Sequence, residues 1–222
     1  MENAKKELKK PVKERFAFRL THIDNLPHIA EEGILCSRHP NCSASYIPIG
    51  NNDVIAKRSD SIKEGGEIRM TPAEYVPFYF TYRTPMLLNI LSGQSGATKR
   101  SPRELCWLVA KIGDLMSLEE EWLCSDGHLL KRFSRVYNQE AALESEIDWE
   151  LIYSGDFTRD EHDRDRMRRY QAEFLVRNRV PLAALSYVLV KDATARAQIS
   201  KFVEKRLENS NISVRESKRA FL

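Results

Sequence analysis

The apolar residues of this chain fall into short runs that never settle into one period. Phe16-Ala17-Phe18-Arg19-Leu20, Tyr75 to Thr81, Leu105 to Ile112, Trp122 to Ser125, Arg132 to Val136, Tyr170 to Val176 and Leu185 to Val190 read as strands. They are short, apolar and bounded by turn residues. Short helices are expected between them. One runs to about Glu32, capped by Asp24 or Asn25 and ended by Gly33. Others cover Asp53 to Ser59, Pro85 to Leu91, and a stretch from an Asp192 cap to about Asn209. Residues 34–52 read as loop, Gly65-Gly66 as a turn, and Pro77 as a residue near a strand's start or on a free edge. Strands and helices in this irregular order predict an α+β domain rather than a doubly wound sheet. No Gly-rich turn between strand and helix signals a Rossmann or P-loop site.

Composition removes whole classes. Hydrophobic residues make up 42% and charged residues 30% of 222 positions, which excludes a disordered or collagen-like chain. No apolar stretch approaches the ~20 residues of a membrane span. The first thirteen residues are charged, read as a fraying basic helix broken at Pro11, and do not resemble a secretory signal. Cys36, Cys42, Cys106 and Cys124 show no CxxC spacing, so a cytoplasmic protein with reduced thiols is expected. His39 lies between Cys36 and Cys42, but the spacing is loose and no second ligand pair follows, so no metal is expected. The organisation expected is a basic extension over 1–15 and one domain over 16–222. Nothing asks for more than a monomer.

Net charge is +3, and its distribution says more than its total. Residues 1–19 carry seven bases against three acids, residues 93–103 carry Lys99, Arg100 and Arg103 with no acid, and residues 139–157 carry six acids and no base. Such segregation suits either solvated faces or a positive groove for a polyanion.

One acid stands out. Glu173 sits inside the apolar run Tyr170-Gln171-Ala172-Glu173-Phe174-Leu175-Val176, where a buried carboxylate is costly unless paired. With period 2, Gln171 and Glu173 share one face while Ala172, Phe174 and Val176 point to the core. The pair is a site candidate or the polar face of an edge strand. Tyr79 lies opposite Phe78 and Phe80, where an aromatic face beside basic loops can stack a planar ring. His22 follows a strand and precedes a helix, a common place for functional side chains and also for structural ones. No Gly-x-Ser-x-Gly elbow is present; Gly93-Gln94-Ser95-Gly96 is not that motif.

Three segments together resemble the DarT family of DNA ADP-ribosyltransferases: Leu20-Thr21-His22-Ile23-Asp24-Asn25-Leu26-Pro27 followed by Gly33-Ile34-Leu35, Tyr75 to Leu87, and Asp165 to Val176. They cover about residues 16 to 190. The resemblance implies an ADP-ribosyltransferase fold whose split β-sheet core clasps NAD as co-substrate. It implies transfer of ADP-ribose to a base of single-stranded DNA, most often thymine, with release of nicotinamide. It also implies a toxin whose partner is a macrodomain antitoxin (DarG-like). By the same resemblance Glu173 is the catalytic glutamate, and Arg58 is a catalytic and NAD-binding residue near the reacting base and the NAD phosphates. Thr21, His22, Asn25 and Tyr79 are expected to hold NAD, and Met86, Arg100, Arg103, His128 and Arg166 to contact DNA. The alternatives are the same fold acting on guanine, RNA or protein, and a non-catalytic module that binds single-stranded nucleic acid. A metal-dependent nuclease would need clustered acids and histidines, and the acid-rich stretch 140–150 has no histidine.

Overall fold

The computed structural model describes residues 6–65 and 68–221. Its strands are β1 Phe16–His22, β2 Ile34–Leu35, β3 Lys63–Gly65, β4 Ile68–Met70, β5 Tyr75–Tyr79, β6 Leu105–Lys111, β7 Trp122–Ser125, β8 Val136–Tyr137, β9 Glu173–Arg177, β10 Arg179–Val180, β11 Tyr187–Val190 and β12 Ser213–Glu216. Eight form one mixed sheet in the order β12-β11-β6-β1-β5-β9-β7-β8, while β10–β2 and β3–β4 are separate pairs. Only β11 and β12 pair in parallel; the other ladders of the large sheet are antiparallel. Helices are short and irregularly interposed, the α+β pattern expected. No helix among the described residues is long and apolar enough to cross a membrane.

The sheet divides at its middle. β1 pairs with β6 over its whole length but with β5 only where Phe18 faces Tyr79. Pro77 lies beside this division. It is not on an outer edge, since β5 pairs with β9 throughout, but on its β1 side no ladder bond is required of the missing N–H. Arg19 Nη1 reaches the Pro77 carbonyl at 3.2 Å, so a side chain links strands that no longer pair.

Alternation along the strands sends Val76, Phe78, Phe174, Val176, Cys106, Leu108 and Ala110 into the principal core. The Leu26–Glu32, Trp149–Ser154 and Lys201–Asn209 helices cover it. The opposite face carries Leu20, Trp107, Val109 and Leu189, covered by Leu87 and Ile90 of the Pro85–Ser92 helix and by Phe221. Both faces are therefore dry around β6, which is buried from Leu105 to Ala110.

Several elements differ from the sequence expectation. Asn25 stands at the N-cap position of the Leu26–Glu32 helix, but its side chain makes no capping bond there; His22 caps the 3-10 turn just before it, its Nδ1 accepting from the Asp24 N–H at 3.2 Å. β9 begins at Glu173 and not Tyr170, because residues 166–172 wind in a helical turn with Tyr170 N–H on Arg166 O. Arg132 to Val136 is not a strand; only Val136–Tyr137 pairs, after a loop closed by Asp126 and Arg135. The single helix expected after Asp192 is two, Ala193–Arg196 and Lys201–Asn209, because Ser200 caps a new start on Val203 N–H. Of the basic helix expected over 1–13, residues 1–5 lie outside the described residues, as does Gly66 of the expected turn. The described part of the basic extension packs on the core: Val12 is buried, and Arg15 lies 4.5 Å over the Trp149 ring.

Candidate active site

Tyr79, Glu173 and Ser125 stand in one row across β5, β9 and β7. β9 is an inner strand, so Glu173 is buried, with 3% exposure, and cannot be a solvated edge residue. Burial of a carboxylate demands partners, and it has them. Glu173 Oε2 accepts from Arg58 Nη1 at 2.9 Å, and Oε1 accepts from the Leu129 N–H at 3.2 Å. Its own N–H donates to Ser125 Oγ at 3.2 Å. Arg58 comes from the Asn52–Asp60 helix, which Asn51 caps on the Asp53 and Val54 N–H groups.

Tyr79, Glu173 and Arg58 face a cavity of about 310 Å³. Arg58, Glu173, Gln171, Tyr79, Met86 and His128 line it, joined by Arg19, Tyr46, Pro48, Ile49 and Asn51. The Tyr79 hydroxyl donates to Met86 Sδ at 3.5 Å. Burial, reinforced by the Glu173 charge, holds the Tyr79 phenol well above its ordinary range, so it stays protonated. Burial also pushes the His128 imidazole below its ordinary value, against the pull of the Glu173 charge. His128 Nδ1 accepts from the Leu130 N–H at 3.3 Å. The neutral ring therefore carries its proton on Nε2 and is a donor there.

Thr21, His22 and Asn25 do not line the cavity wall. Thr21 and Asn25 tie down its lid, while His22 Nε2 lies 3.6 Å from Glu104 Oε1. Asn25 exchanges two hydrogen bonds with the Ile47 backbone, at 2.9 and 2.8 Å, and donates to Thr21 Oγ1 at 3.0 Å. Thr21 Oγ1 lies 3.1 Å from the Tyr46 hydroxyl. The loop between β2 and the Asn52–Asp60 helix is thereby fixed over the cavity, with Asn51 donating to the Ser95 carbonyl. Arg100, Arg103 and Arg166 also stand outside the wall. Glu104 lies 3.5 Å from Arg100, Asp192 3.0 Å from Arg103 and Asp156 2.7 Å from Arg166.

Sequence reasoning missed Arg19, Tyr46, Ser125 and the Leu129 N–H. Arg19 carried a usable signal, a charge inside an apolar strand, as Glu173 did. A backbone donor such as Leu129 carries none. Among the described residues, no group of three or more His, Cys, Asp or Glu side chains is placed to hold a metal.

The split sheet sets a buried glutamate opposite a tyrosine on the cavity wall, and its likeness to solved DarT structures makes this an α+β ADP-ribosyltransferase fold. The family model described as "ssDNA thymidine ADP-ribosyltransferase, DarT" matches residues 18–221, and the chain belongs to that family. A DNA ADP-ribosyl transferase of Escherichia coli O127:H6 is 31% identical over 192 residues, covering 85% of this chain and 86% of that one. The structure of Thermus sp. 2.9 DarT in complex with ADP-ribosylated ssDNA superposes with a TM-score of 0.78 at 22% identity, covering 94% of this chain and 97% of that one. The same Thermus protein in complex with NAD+ gives 0.73 at 22% identity, covering 95% of this chain and 98% of that one. A DNA ADP-ribosyl transferase-DNA ADP-ribosyl glycohydrolase fusion protein of Thermosipho africanus is 24% identical over 210 residues, 90% of this chain and 47% of the fusion.

Proposed function

We propose that this chain transfers ADP-ribose from NAD to thymine in single-stranded DNA and releases nicotinamide, as a toxin held in check by a macrodomain antitoxin. The observation that carries the reading is the Glu173 carboxylate, buried at the cavity and fixed by Arg58 and the Leu129 N–H. The antitoxin is supported by the Thermosipho fusion, in which a transferase and a glycohydrolase share one chain.

The residues present fit a dinucleotide. Arg58 Nη2 and Arg19 Nε are buried without hydrogen-bond partners among the described residues, and both side chains line the cavity. Unpaired guanidinium nitrogens of this kind suit phosphate oxygens. Tyr79, Tyr46 and Ile49 supply apolar walls for flat rings.

NAD supplies an activated ribose whose bond to nicotinamide breaks with positive charge building on the sugar, as in glycoside hydrolysis. Glu173 lies ready to stabilise that charge, and its two fixed oxygens need no reorganisation when it appears. Protonated Tyr79 forms the wall beside it. His128 donates through Nε2 to a carbonyl of the acceptor base, and Met86 packs against that base. Thymine must give up its N3 proton as the new bond forms. Glu173 accepts that proton, while the Arg58 charge favours the deprotonated base. A single-stranded acceptor avoids the few kcal/mol needed to flip a base from a duplex.

The test is mass spectrometry of short oligonucleotides after incubation with NAD. A gain of one ADP-ribose on thymine-containing strands, absent from thymine-free ones, is the expected result. A gain that survives loss of thymine and disappears with guanine would assign the other base. No gain on any strand would overturn the reading. For the toxin role, expression in a host without antitoxin should arrest growth, and Glu173→Ala should relieve the arrest.

A further inference from the structure

The loop between β7 and β8 holds two apolar side chains in opposite situations. Leu129 is wholly buried, and its N–H holds Glu173. Phe133, four residues later, is 77% exposed. The exposure is not a consequence of a slack loop. Lys131 N–H donates to His128 O at 2.9 Å, Ser134 N–H to Lys131 O at 3.1 Å, and Ser134 Oγ to His128 O at 2.7 Å. Asp126 and Arg135 close its base through Asp126 N–H on Arg135 O and Arg135 N–H on Asp126 Oδ1. Lys63, from the β3–β4 pair, donates to Lys131 O at 2.8 Å. A turn tied at so many points presents the ring outward in a fixed place.

Its surroundings select the ligand. Residues 127–139 contain Lys131, Arg132 and Arg135 and no acid, and all three bases are exposed. The Arg132 guanidinium lies 6.0 Å from one face of the Phe133 ring, and the high exposure leaves the other face open. An open aromatic face among cations is how single strands are held without reading base edges: rings stack, and cations take phosphates. Leu129 and Phe133 are separated by at most about 15 Å of chain, so a strand with its acceptor base at Glu173 passes the ring within a few nucleotides.

We propose that Phe133 is a stacking platform for a base flanking the acceptor in single-stranded DNA, with Lys131, Arg132 and Arg135 on the adjoining phosphates. This rests on the reading of single-stranded DNA as substrate, and Phe133 would tune affinity and sequence context rather than the chemical step. The experiment measures oligonucleotide affinity and NAD affinity for wild type, Phe133→Ala and Phe133→Trp. The oligonucleotides carry one abasic position moved stepwise from the acceptor. Phe133→Ala should bind the intact strand about tenfold to a hundredfold more weakly, the range for one lost base–aromatic stack, with NAD affinity unchanged. Phe133→Trp should restore binding, and its added fluorescence should be quenched by DNA. One abasic position should weaken wild type to the same degree and cost Phe133→Ala nothing more. If wild type binds and modifies the strand but Phe133→Ala binds within twofold of it, the platform is overturned while the substrate reading stands. If wild type neither binds nor modifies the strand, the substrate reading fails and the platform with it.

Discussion

Arg58 Nη1 lies 2.9 Å from Glu173 Oε2, joining a helix and a strand 115 positions apart in the chain. The contact does two things at once. It supplies a cation to a carboxylate that would otherwise be buried alone, and it brings the helix beyond the cavity lid against the strand that carries the acid. A buried pair of this sort is weak evidence for stability, since the desolvation of both ions offsets much of their attraction. Its value here lies in orientation: one carboxylate oxygen faces Arg58 and the other the Leu129 N–H.

Glu173→Gln keeps the size of the side chain and removes its charge. Transfer is expected to fall by about 10²–10³, the usual loss for one electrostatic stabiliser, with NAD affinity within a few-fold of wild type. Steady-state rates and calorimetric NAD binding check this. A variant as fast as wild type would remove Glu173 from catalysis.

Gly127→Ala probes the backbone that positions the acid. A Cβ at Gly127 would stand 2.7 Å from Arg168 O and 2.5 Å from Arg168 Nη1. The side chain could move only by giving up its ion pairs, and the carbonyl is held because it accepts from the His128 N–H at 2.9 Å. Arg168 is itself fixed by Asp126 and Asp165, each at 2.7 Å. The substitution should destabilise the fold by about 1–3 kcal/mol, as overpacking does. Because it displaces His128 and the Leu129 N–H, it should lower the transfer rate more than NAD affinity. Denaturant unfolding and rate measurements on the same preparation separate the two effects, and unchanged values for both would contradict the close packing.

Acid should weaken this protein through His128. Burial depresses its folded-state pKa below the ordinary value, so the unfolded chain takes up a proton that the native chain refuses. Above about pH 7 neither state is protonated there and nothing is lost. As pH falls through about 6.5 the unfolded state gains the proton first, and stability declines until the native pKa is reached. His128→Asn should lose less stability than wild type between about pH 7.5 and 5.5. Equal losses in the two proteins would show that His128 is not the group responsible.

The positions of most strands along the chain, and Glu173 as a carboxylate that needs partners, were legible because both rest on local pattern. An ionisable residue in an apolar strand announces its cost wherever the strand lies in the sheet. Pro77 was legible only in part: the sequence says that one side of it lacks a ladder bond, but not that this side is the division between β1 and β5. Thr21, His22 and Asn25 stood out as a motif, yet the contacts of Thr21 with Tyr46 and of Asn25 with Ile47 depend on a loop with no periodicity at all. The first residues of β9 were misplaced because Tyr170, Gln171 and Ala172 continue the alternation of the strand while their backbone closes helical turns. β12 escaped notice since Ser213–Glu216 is mostly exposed and polar, and it is a strand only because β11 offers it a free edge.

The remaining question is which cations carry the strand, and the ion pairs around each arginine bear on it. Binding a phosphate displaces counterions, and each full contact contributes about 0.7 to the salt slope for a single strand. A cation already neutralised by a neighbouring carboxylate has less to contribute. Arg103 is held by Asp192, Arg166 by Asp156 and Arg100 by Glu104, and none of the three lines the cavity. Lys131 and Arg132 are exposed on a stretch without acids, and Asp126 at its start is engaged by Arg168. Lys131→Ala and Arg132→Ala should each flatten the dependence of log Kd on log salt by about 0.7, at every sequence alike. Arg100→Ala, Arg103→Ala and Arg166→Ala should each change it by less than that. Met86→Ala should leave the slope untouched and alter base preference or rate, because Met86 is an uncharged residue of the cavity wall, where the proposed reaction places the acceptor base. Full slope changes at Arg103 and Arg166 with none at Lys131 and Arg132 would route the strand along the opposite side of the cavity.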